Sequence, residues 1–331
     1  MLKISIILPI YNVERFLGDC LDSLYEQDLT EDEYEIICVI DGSPDTSKAI
    51  VEQYMETHSN IRLILQENQG VCVARNAGLK NASGKYVWFV DPDDIIVSNC
   101  FRKIYDELEK AQADIFEMQY RTCEEQYKFL PEIMEFEIDG QNKEGSSGSG
   151  CLYVCRRDYL NENSIVFNEK LSYGEDYLWA FQVKYRKHKS LYTNTALYVY
   201  RQRENSAMHT SNPKKTRKHM EDMIELYNIY GEEAKRCKKA DMSDAILQNI
   251  SRRQQLCIES ALLCLMKLRV SKADIENILN ELQEVGAYPY KFMFWNLFGK
   301  GTVNPLKVRM FTFFFPIKSY YLLLCSLYRF L

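Results

Sequence analysis

Three apolar runs in the first third of the chain each stop abruptly at a polar signature, and this repetition leaves few architectures open. Ile4-Ser5-Ile6-Ile7-Leu8 ends in Pro9-Ile10-Tyr11-Asn12, and Glu35 to Ile40 ends in Asp41-Gly42-Ser43-Pro44-Asp45. Tyr86-Val87-Trp88-Phe89-Val90 ends in Asp91-Pro92-Asp93-Asp94. Runs so rich in β-branched and aromatic residues predict buried strands. Between them, Phe16, Leu17, Cys20, Leu21 and Leu24 recur on one helical face, and Asp45 to Met55 predicts a second helix opened by Ser43 or Asp45 as cap. Ile61 to Leu65 and a further helix precede Tyr86. Strand and helix in alternation build an α/β fold around a doubly wound, mostly parallel sheet. Ligands in such folds bind beyond the carboxyl ends of the strands, so Asn12, Asp41 and Asp91 are expected to share one site.

The chemistry of that site follows from what the strand ends carry and what they lack. Pro92 keeps the backbone extended, so Asp91 and Asp93 point the same way and can offer oxygens to one hard cation, Mg²⁺ or Mn²⁺. No G-x-G-x-x-G follows a strand and no G-x-x-x-x-G-K-[ST] occurs, so the glycine cradles of dinucleotide folds and phosphate-loop NTPases are missing. A cation on Asp91 and Asp93 can instead bridge diphosphate oxygens, while Asp41 can accept an N–H of a base or a ribose hydroxyl. A nucleotide-diphosphate donor satisfies all three groups.

With these residues in view, the chain resembles the family-2 glycosyltransferases of GT-A fold that make capsule, exopolysaccharide, teichoic-acid and lipopolysaccharide sugars. Their P-x-Y-N corresponds to Pro9 to Asn12, their D-G-S-x-D to Asp41 to Asp45, and their N-x-G-x-x-x-A-R-N-x-G to Asn68 to Gly78. Their D-x-D-D corresponds to Asp91 to Asp94, their G-E-D to Gly174-Glu175-Asp176, and their Y-R followed by N-S to Tyr200-Arg201 and Asn205-Ser206. Six motifs agree in order across roughly the first 210 residues. One departure is Ile40, where many relatives carry Asp or Asn, and it is expected to tune the donor pocket.

The resemblance implies roles. Asp41 reads the base, uracil through its N3–H, with Pro9, Tyr11, Asn68 and Arg75 shaping or contacting the nucleotide. Asn12 belongs to the same nucleotide-sugar set and also stands where a plain helix N-cap would. Asp91 faces the ribose and metal side, Asp93 is the main metal ligand, and Asp94 caps a helix beginning near Ser98 or braces the turn. Asp176 is the catalytic base, with Glu175 as a substitute or a ligand of sugar hydroxyls. Such a base is needed because an acceptor hydroxyl is a poor nucleophile and must lose its proton as the sugar carbon becomes oxocarbenium-like. Arg201 and Ser206 would hold pyrophosphate oxygens. His209 fits a third metal ligand less well than a solvent-facing loop residue.

These motifs place a catalytic domain at residues 1–211, with a nucleotide-sugar half over about 1–115 and an acceptor half over about 116–211. Asp139 to Gly150, with its Gly-Ser-Ser-Gly-Ser-Gly run, reads as a linker. Beyond it, Cys151 to Cys155 predicts a strand, Gly174 to Lys187 a helix, and Leu191 to Arg203 a strand. A helical C-terminal region fills 212–331. Eleven cysteines without a C-x-x-C pair read as reduced core residues, not disulfides or a zinc site. Met1 to Asn12 is a strand pattern leading into a motif and not a signal peptide.

The tail 287–331 has no acidic residue but holds Lys291, Lys300, Lys307, Arg309, Lys318 and Arg329 among aromatics, while all 47 Asp and Glu precede it. Its apolar runs fall short of the ~20 residues needed to span a bilayer, so it predicts peripheral binding to anionic lipid on the inner face of the cell membrane. Packing within the protein, or a homo-oligomer interface, is the alternative. A net charge of −6 argues against nucleic acid. The expected activity is inverting, metal-dependent transfer of a sugar from a UDP-sugar to a hydroxyl of a cell-surface glycan or lipid-linked precursor by a cytoplasmic enzyme. Two alternatives are a nucleotidyltransferase, which would need a glycine-rich basic loop where only Arg15 stands, and a noncatalytic nucleotide-sugar-binding scaffold subunit.

Overall fold

A computed structural model describes residues 2–129, 131, 135–140, 148–203, 212–268, 270–284, 286–288, 318, 321, 322 and 325. The chain divides into two compact units, Met1–His209 and Thr210–Leu331. The first unit runs β1 (Ile4–Ile10), α1 (Glu14–Tyr25), β2 (Tyr34–Asp41), α2 (Ser47–Met55), β3 (Ile61–Gln66), α3 (Val71–Asn81) and β4 (Tyr86–Phe89). It continues through β5 (Ile95–Ile96), α4 (Phe101–Ala111), β6 (Ile115–Cys123), a 3₁₀ turn at Gly150–Leu152, β7 (Tyr153–Arg156), α5 (Arg157–Glu162), α6 (Glu175–Lys184) and β8 (Ser190–Arg201).

The eight strands form one sheet in the order β3-β2-β1-β4-β7-β6-β8-β5. The half that the apolar runs predicted is wholly parallel: β1 pairs with β2 on one side and β4 on the other, and β2 pairs with β3. All of β1, β2 and β4 is buried, as parallel strands covered on both faces must be. The other half is mixed, with β7 antiparallel to both β4 and β6, β8 parallel to β6, and β5 antiparallel to β8. Strand order reverses at β1, which leaves a crevice beyond the carboxyl ends of β1 and β4. The expected strand at Cys151 starts later, because Gly150 to Leu152 first make the 3₁₀ turn, tied to β4 by the Trp88 indole donating to the Cys151 carbonyl at 2.7 Å.

At the amino ends of the strands, opposite the crevice, a polar network centred on buried Glu35 fixes the strand starts. Ser5 Oγ donates to Glu35 at 2.6 Å, the Ser83 N–H to the same oxygen at 2.6 Å, and Arg62 to the other at 3.0 Å. A side-chain carbon at Gly84 would lie 2.6 Å from the Ser5 nitrogen, so only glycine passes there.

The second unit contains α7 (Pro213–Lys239), α8 (Asp244–Lys267) and α9 (Lys272–Glu284). Asn212 caps α7 by accepting the Lys215 N–H at 2.9 Å, and Pro213 supplies a first residue with no N–H to lose. Met220, Met223, Leu226 and Tyr230 of α7 are buried, as are Ile258, Ala261, Leu262 and Leu265 of α8. Two tail residues also return to this unit: Tyr321 donates its hydroxyl to the Leu262 carbonyl at 2.6 Å, and Lys318 reaches Asn280 at 3.1 Å. Most of the tail lies outside the described residues, but at Tyr321 and Cys325 it is buried, as packing within the protein requires.

The eleven cysteines are not joined in disulfides. Ten are buried and Cys123 is half-buried. Burial pushes several of the thiols up, those of Cys72 and Cys257 to about 12.

Candidate active site

The loops that follow β1 and β2 are laced to each other. The Asn12 N–H donates to Ser43 Oγ at 2.8 Å, and Asn12 takes a left-handed conformation with φ 54°. Asp45 accepts the Glu14 N–H at 2.9 Å, while Glu14 accepts the Thr46 N–H at 2.8 Å, so each helix start is capped by the loop of the other. The plain N-cap reading of Asn12 is thereby corrected: Val13 is the N-cap of α1, no cap-residue side chain bonds there, and the donor of Glu14 goes to Asp45. Pro9 is buried within β1, and Tyr11 and Asn12 are exposed at its end.

Asp41 ends β2 and is buried, its carboxylate accepting the Gln66 side chain at 2.8 Å, the Gln69 N–H at 2.9 Å and the Gly70 N–H at 2.8 Å. These bonds fold the turn from β3 into α3, which Gly70 enters at φ 94°. Gly42 must be glycine, since its φ is 61° and a side-chain carbon would lie 2.6 Å from the Asn68 nitrogen. Asn68 is thus held, exposed, directly over the end of β2.

Arg75, on α3, joins the two sides of the crevice. Its Nη2 donates to Asp91 at 2.8 Å and its Nη1 to Asp176 at 2.8 Å, with Glu175 3.6 Å away. The arginine is buried, and its charge is met by carboxylates within the site rather than by solvent. Burial works against its charge, but Asp176, Asp91 and Glu175 together hold it protonated. Burial in turn pushes the Asp176 carboxyl up, with the Arg75 cation pulling it back. Glu175, buried beside Asp176, is pushed up to about 7. Both acids open α6, whose N-cap Gly174 has a left-handed φ of 77°. Gly150, where the linker ends, comes so close that a side-chain carbon there would lie 3.3 Å from Asp176 Oδ1.

The remaining acids divide by depth. Asp94 is buried and accepts the Tyr198 hydroxyl at 2.7 Å and the Arg201 N–H at 2.8 Å. It braces the turn after β4 against β8, and α4 begins only at Phe101 without its help. Tyr198 also receives the Asp91 N–H at 3.1 Å. Arg201 departs from the expected diphosphate ligand: its side chain is 1% exposed and donates to the Asp93, Glu125 and Tyr127 carbonyls and to Asp19. With those donors used inside the protein, it organises the loop of residues 123–127. The cation that does stand over the acids is Arg203, whose Nε lies 2.7 Å from Asp93. Ser206 and His209 lie outside the described residues.

Asp91 and Asp93 supply the carboxylate oxygens that a hard cation takes, and burial pushes the Asp93 carboxyl up, with Arg203 opposing and the Asp91 charge adding to it. Among the described residues no group of three or more His, Cys, Asp or Glu side chains has metal-site geometry, so diphosphate and water oxygens would have to complete the shell. Sequence reasoning did not single out Tyr198, Arg203 or the aromatic support of Arg75 described below. A second arginine two residues after Arg201 on an alternating strand was the available signal for Arg203.

Comparison with known proteins bears on the family and the fold. The model of the family described as glycosyl transferase family 2 matches residues 5–161. The uncharacterized glycosyltransferase EpsJ of Bacillus subtilis is 32% identical over 244 residues, covering 69% of this chain and 70% of that protein. The minor teichoic acid biosynthesis protein GgaB of the same organism is 33% identical over 224 residues, 64% of this chain but only 24% of GgaB. The crystal structure of residues 1–349 of Staphylococcus aureus TarS in complex with UDP-GlcNAc shares the fold, with a TM-score of 0.63 at 21% identity over 99% of this chain and 92% of that one.

Proposed function

The chain belongs to glycosyl transferase family 2, and on that footing we propose that it moves a sugar, with inversion, from a UDP-sugar to a hydroxyl of a cell-surface glycan or lipid-linked precursor, using Mg²⁺ or Mn²⁺ on Asp91 and Asp93. The observation that carries this reading is the Arg75 bridge, which brings a carboxylate at the end of β4 and one at the start of α6 onto the two ends of a single guanidinium. Transfer needs both: one group on the side where the diphosphate leaves and one on the side where the acceptor arrives. Binding of UDP-GlcNAc by the structural neighbour supports a UDP-sugar, and the role of GgaB supports a cell-surface glycan.

In this mechanism the nucleotide lies across the ends of β1 and β2. The Asp41-built turn and Asn68 frame the base, and Tyr11 and Asn12 border it. Asp91 and Asp93 face the diphosphate, where a bound cation would offset the charge that develops on the leaving group. On the opposite side Asp176 accepts the proton of the acceptor hydroxyl as the bond to the sugar carbon forms. Arg75 helps keep Asp176 ionised despite its burial, and Glu175 stands beside it for sugar hydroxyls. The test is thermal stabilisation by UDP-, GDP- and TDP-sugars with and without Mn²⁺, followed by assignment of the anomeric configuration of the product by NMR. Stabilisation by a UDP-sugar only when Mn²⁺ is present, and an inverted product, are expected. Equal stabilisation without metal would remove the cation from the reading, and a retained configuration would remove Asp176 as base.

A further inference from the structure

We propose that Phe167, clamped by Asn76 and backed by Trp179, is a positioning residue that fixes the Arg75 guanidinium and, through it, the separation of the donor-side and acceptor-side carboxylates. The inference rests on the reading of Asp176 as the base. Among the described residues Arg75 is hydrogen-bonded through its terminal nitrogens to Asp91 and Asp176, while its buried Nε has no hydrogen-bond partner. Two bonds define a line between the carboxylates but leave the guanidinium plane free to tilt about it. A third support is needed, and the Phe167 ring supplies it, with its centroid 4.8 Å from the guanidinium carbon.

The ring itself is packed against other aromatics. Trp179 stacks on it at 5.2 Å and 2°, and Phe89 meets both rings edge-on at 5.0 and 5.4 Å. Its backbone is held at two points, the Phe167 N–H donating to Asn76 Oδ1 at 2.9 Å and Asn76 Nδ2 donating to the Phe167 carbonyl at 2.9 Å. Asn76 also reaches Glu169 at 3.0 Å. Because Asn76 is the next residue after Arg75 on α3, one helix carries both the cation and the clamp on the platform beneath it. Motion of the Phe167 segment relative to α3 is therefore blocked at the point where it would shift the cation.

The full chain would be compared with Phe167→Leu, which keeps apolar bulk without a ring, Phe167→Tyr, which restores the ring, and Asn76→Ala, which opens the clamp. Misplacement by about 1 Å is worth roughly 10²-fold in rate, so Phe167→Leu is expected to lower kcat about 10- to 100-fold with donor KM changed less than about threefold. Phe167→Tyr should recover most of the loss, and Asn76→Ala should lose about 3- to 10-fold by the same logic of displacement. If Phe167→Leu does not fold, Asn76→Ala decides alone. Unchanged kcat in whichever of these folds, a loss confined to donor KM, or Tyr as impaired as Leu would overturn the proposal. Asp176→Asn assayed in parallel separates the claims. Near-normal turnover there removes the base, whereas loss there with full activity in Phe167→Leu removes only the positioning role.

Discussion

Arg203 Nε lies 2.7 Å from Asp93 Oδ2, so the carboxylate expected to be the main metal ligand is occupied by a cation of the protein's own. A desolvated acid in a cluster of acids needs a positive partner, and the partner can be exchanged. A divalent ion held on Asp93, as proposed, would have to compete with Arg203 for one oxygen.

Removing the competitor should reveal this. Arg203→Gln is expected to bind Mn²⁺ alone about 3- to 10-fold more tightly, a gain of about 1 kcal/mol, while Asp93→Ala should lose metal-dependent UDP binding with the fold intact. Titration calorimetry reads both. Weaker Mn²⁺ binding in Arg203→Gln, or undiminished binding in Asp93→Ala, would contradict the assignment.

Asp41 has two jobs to lose. Its three N–H partners make Asp41→Ala destabilising by about 2 to 3 kcal/mol, the range for hydrogen bonds to a charged acceptor, in addition to weakened UDP binding. Urea denaturation gives the first quantity and calorimetry the second. Unaltered stability would show that the turn from β3 to α3 holds without the carboxylate.

Asp176→Asn should leave UDP affinity near wild type and cut single-turnover transfer by roughly 10²- to 10⁴-fold, with Glu175→Gln costing less. Near-normal transfer in Asp176→Asn would place the base elsewhere.

Glu175 also predicts a pH signature in stability. Its folded value of about 7 lies above the ordinary 4.5, so across that window the native state binds a proton that the unfolded chain has released. The contribution is complete below about 4.5 and lost as pH rises through about 7. Tm of the wild type should therefore fall relative to Glu175→Gln between those values. Parallel profiles would mean that the carboxyl titrates normally.

For the tail, the expected peripheral membrane binding is best tested by charge. Truncation before Ala287 would also remove buried Tyr321 and Cys325. Replacing Lys300, Lys307 and Arg309 by Gln should reduce flotation with anionic vesicles and flatten its salt dependence. Tyr321→Phe should cost about 1 kcal/mol of stability and leave flotation unchanged. Flotation indifferent to the three substitutions would leave the tail a packing element.

The parallel half of the sheet was legible because β1, β2 and β4 are buried throughout and, apart from Ser5, Glu35 and Asp41, apolar, so that burial on both faces writes itself into nearly every position. The mixed half was less so. β5 is two residues long and exists only through its pairing with β8, and β6 alternates only after its first buried residues. In the site, the strand-end acids could be located from sequence, but the partners of each could not. Arg201 turned inward because its acceptors, Asp19 and the carbonyls of Glu125 and Tyr127, are remote in sequence and converge only in three dimensions. Phe167 escaped notice for the same reason, an aromatic in a loop whose meaning lies in the arginine above it.

The buried thiols make the protein its own unfolding reporter. With ten of eleven cysteines buried and only Cys123 partly open, an aromatic disulfide reagent has at most one ready target in the native state and eleven in the denatured one. The colour released per molecule thus counts how much of the chain has opened. Mass spectrometry of the labelled peptides then orders the openings, with Cys38 and Cys155 marking the sheet and Cys257 and Cys264 marking α8.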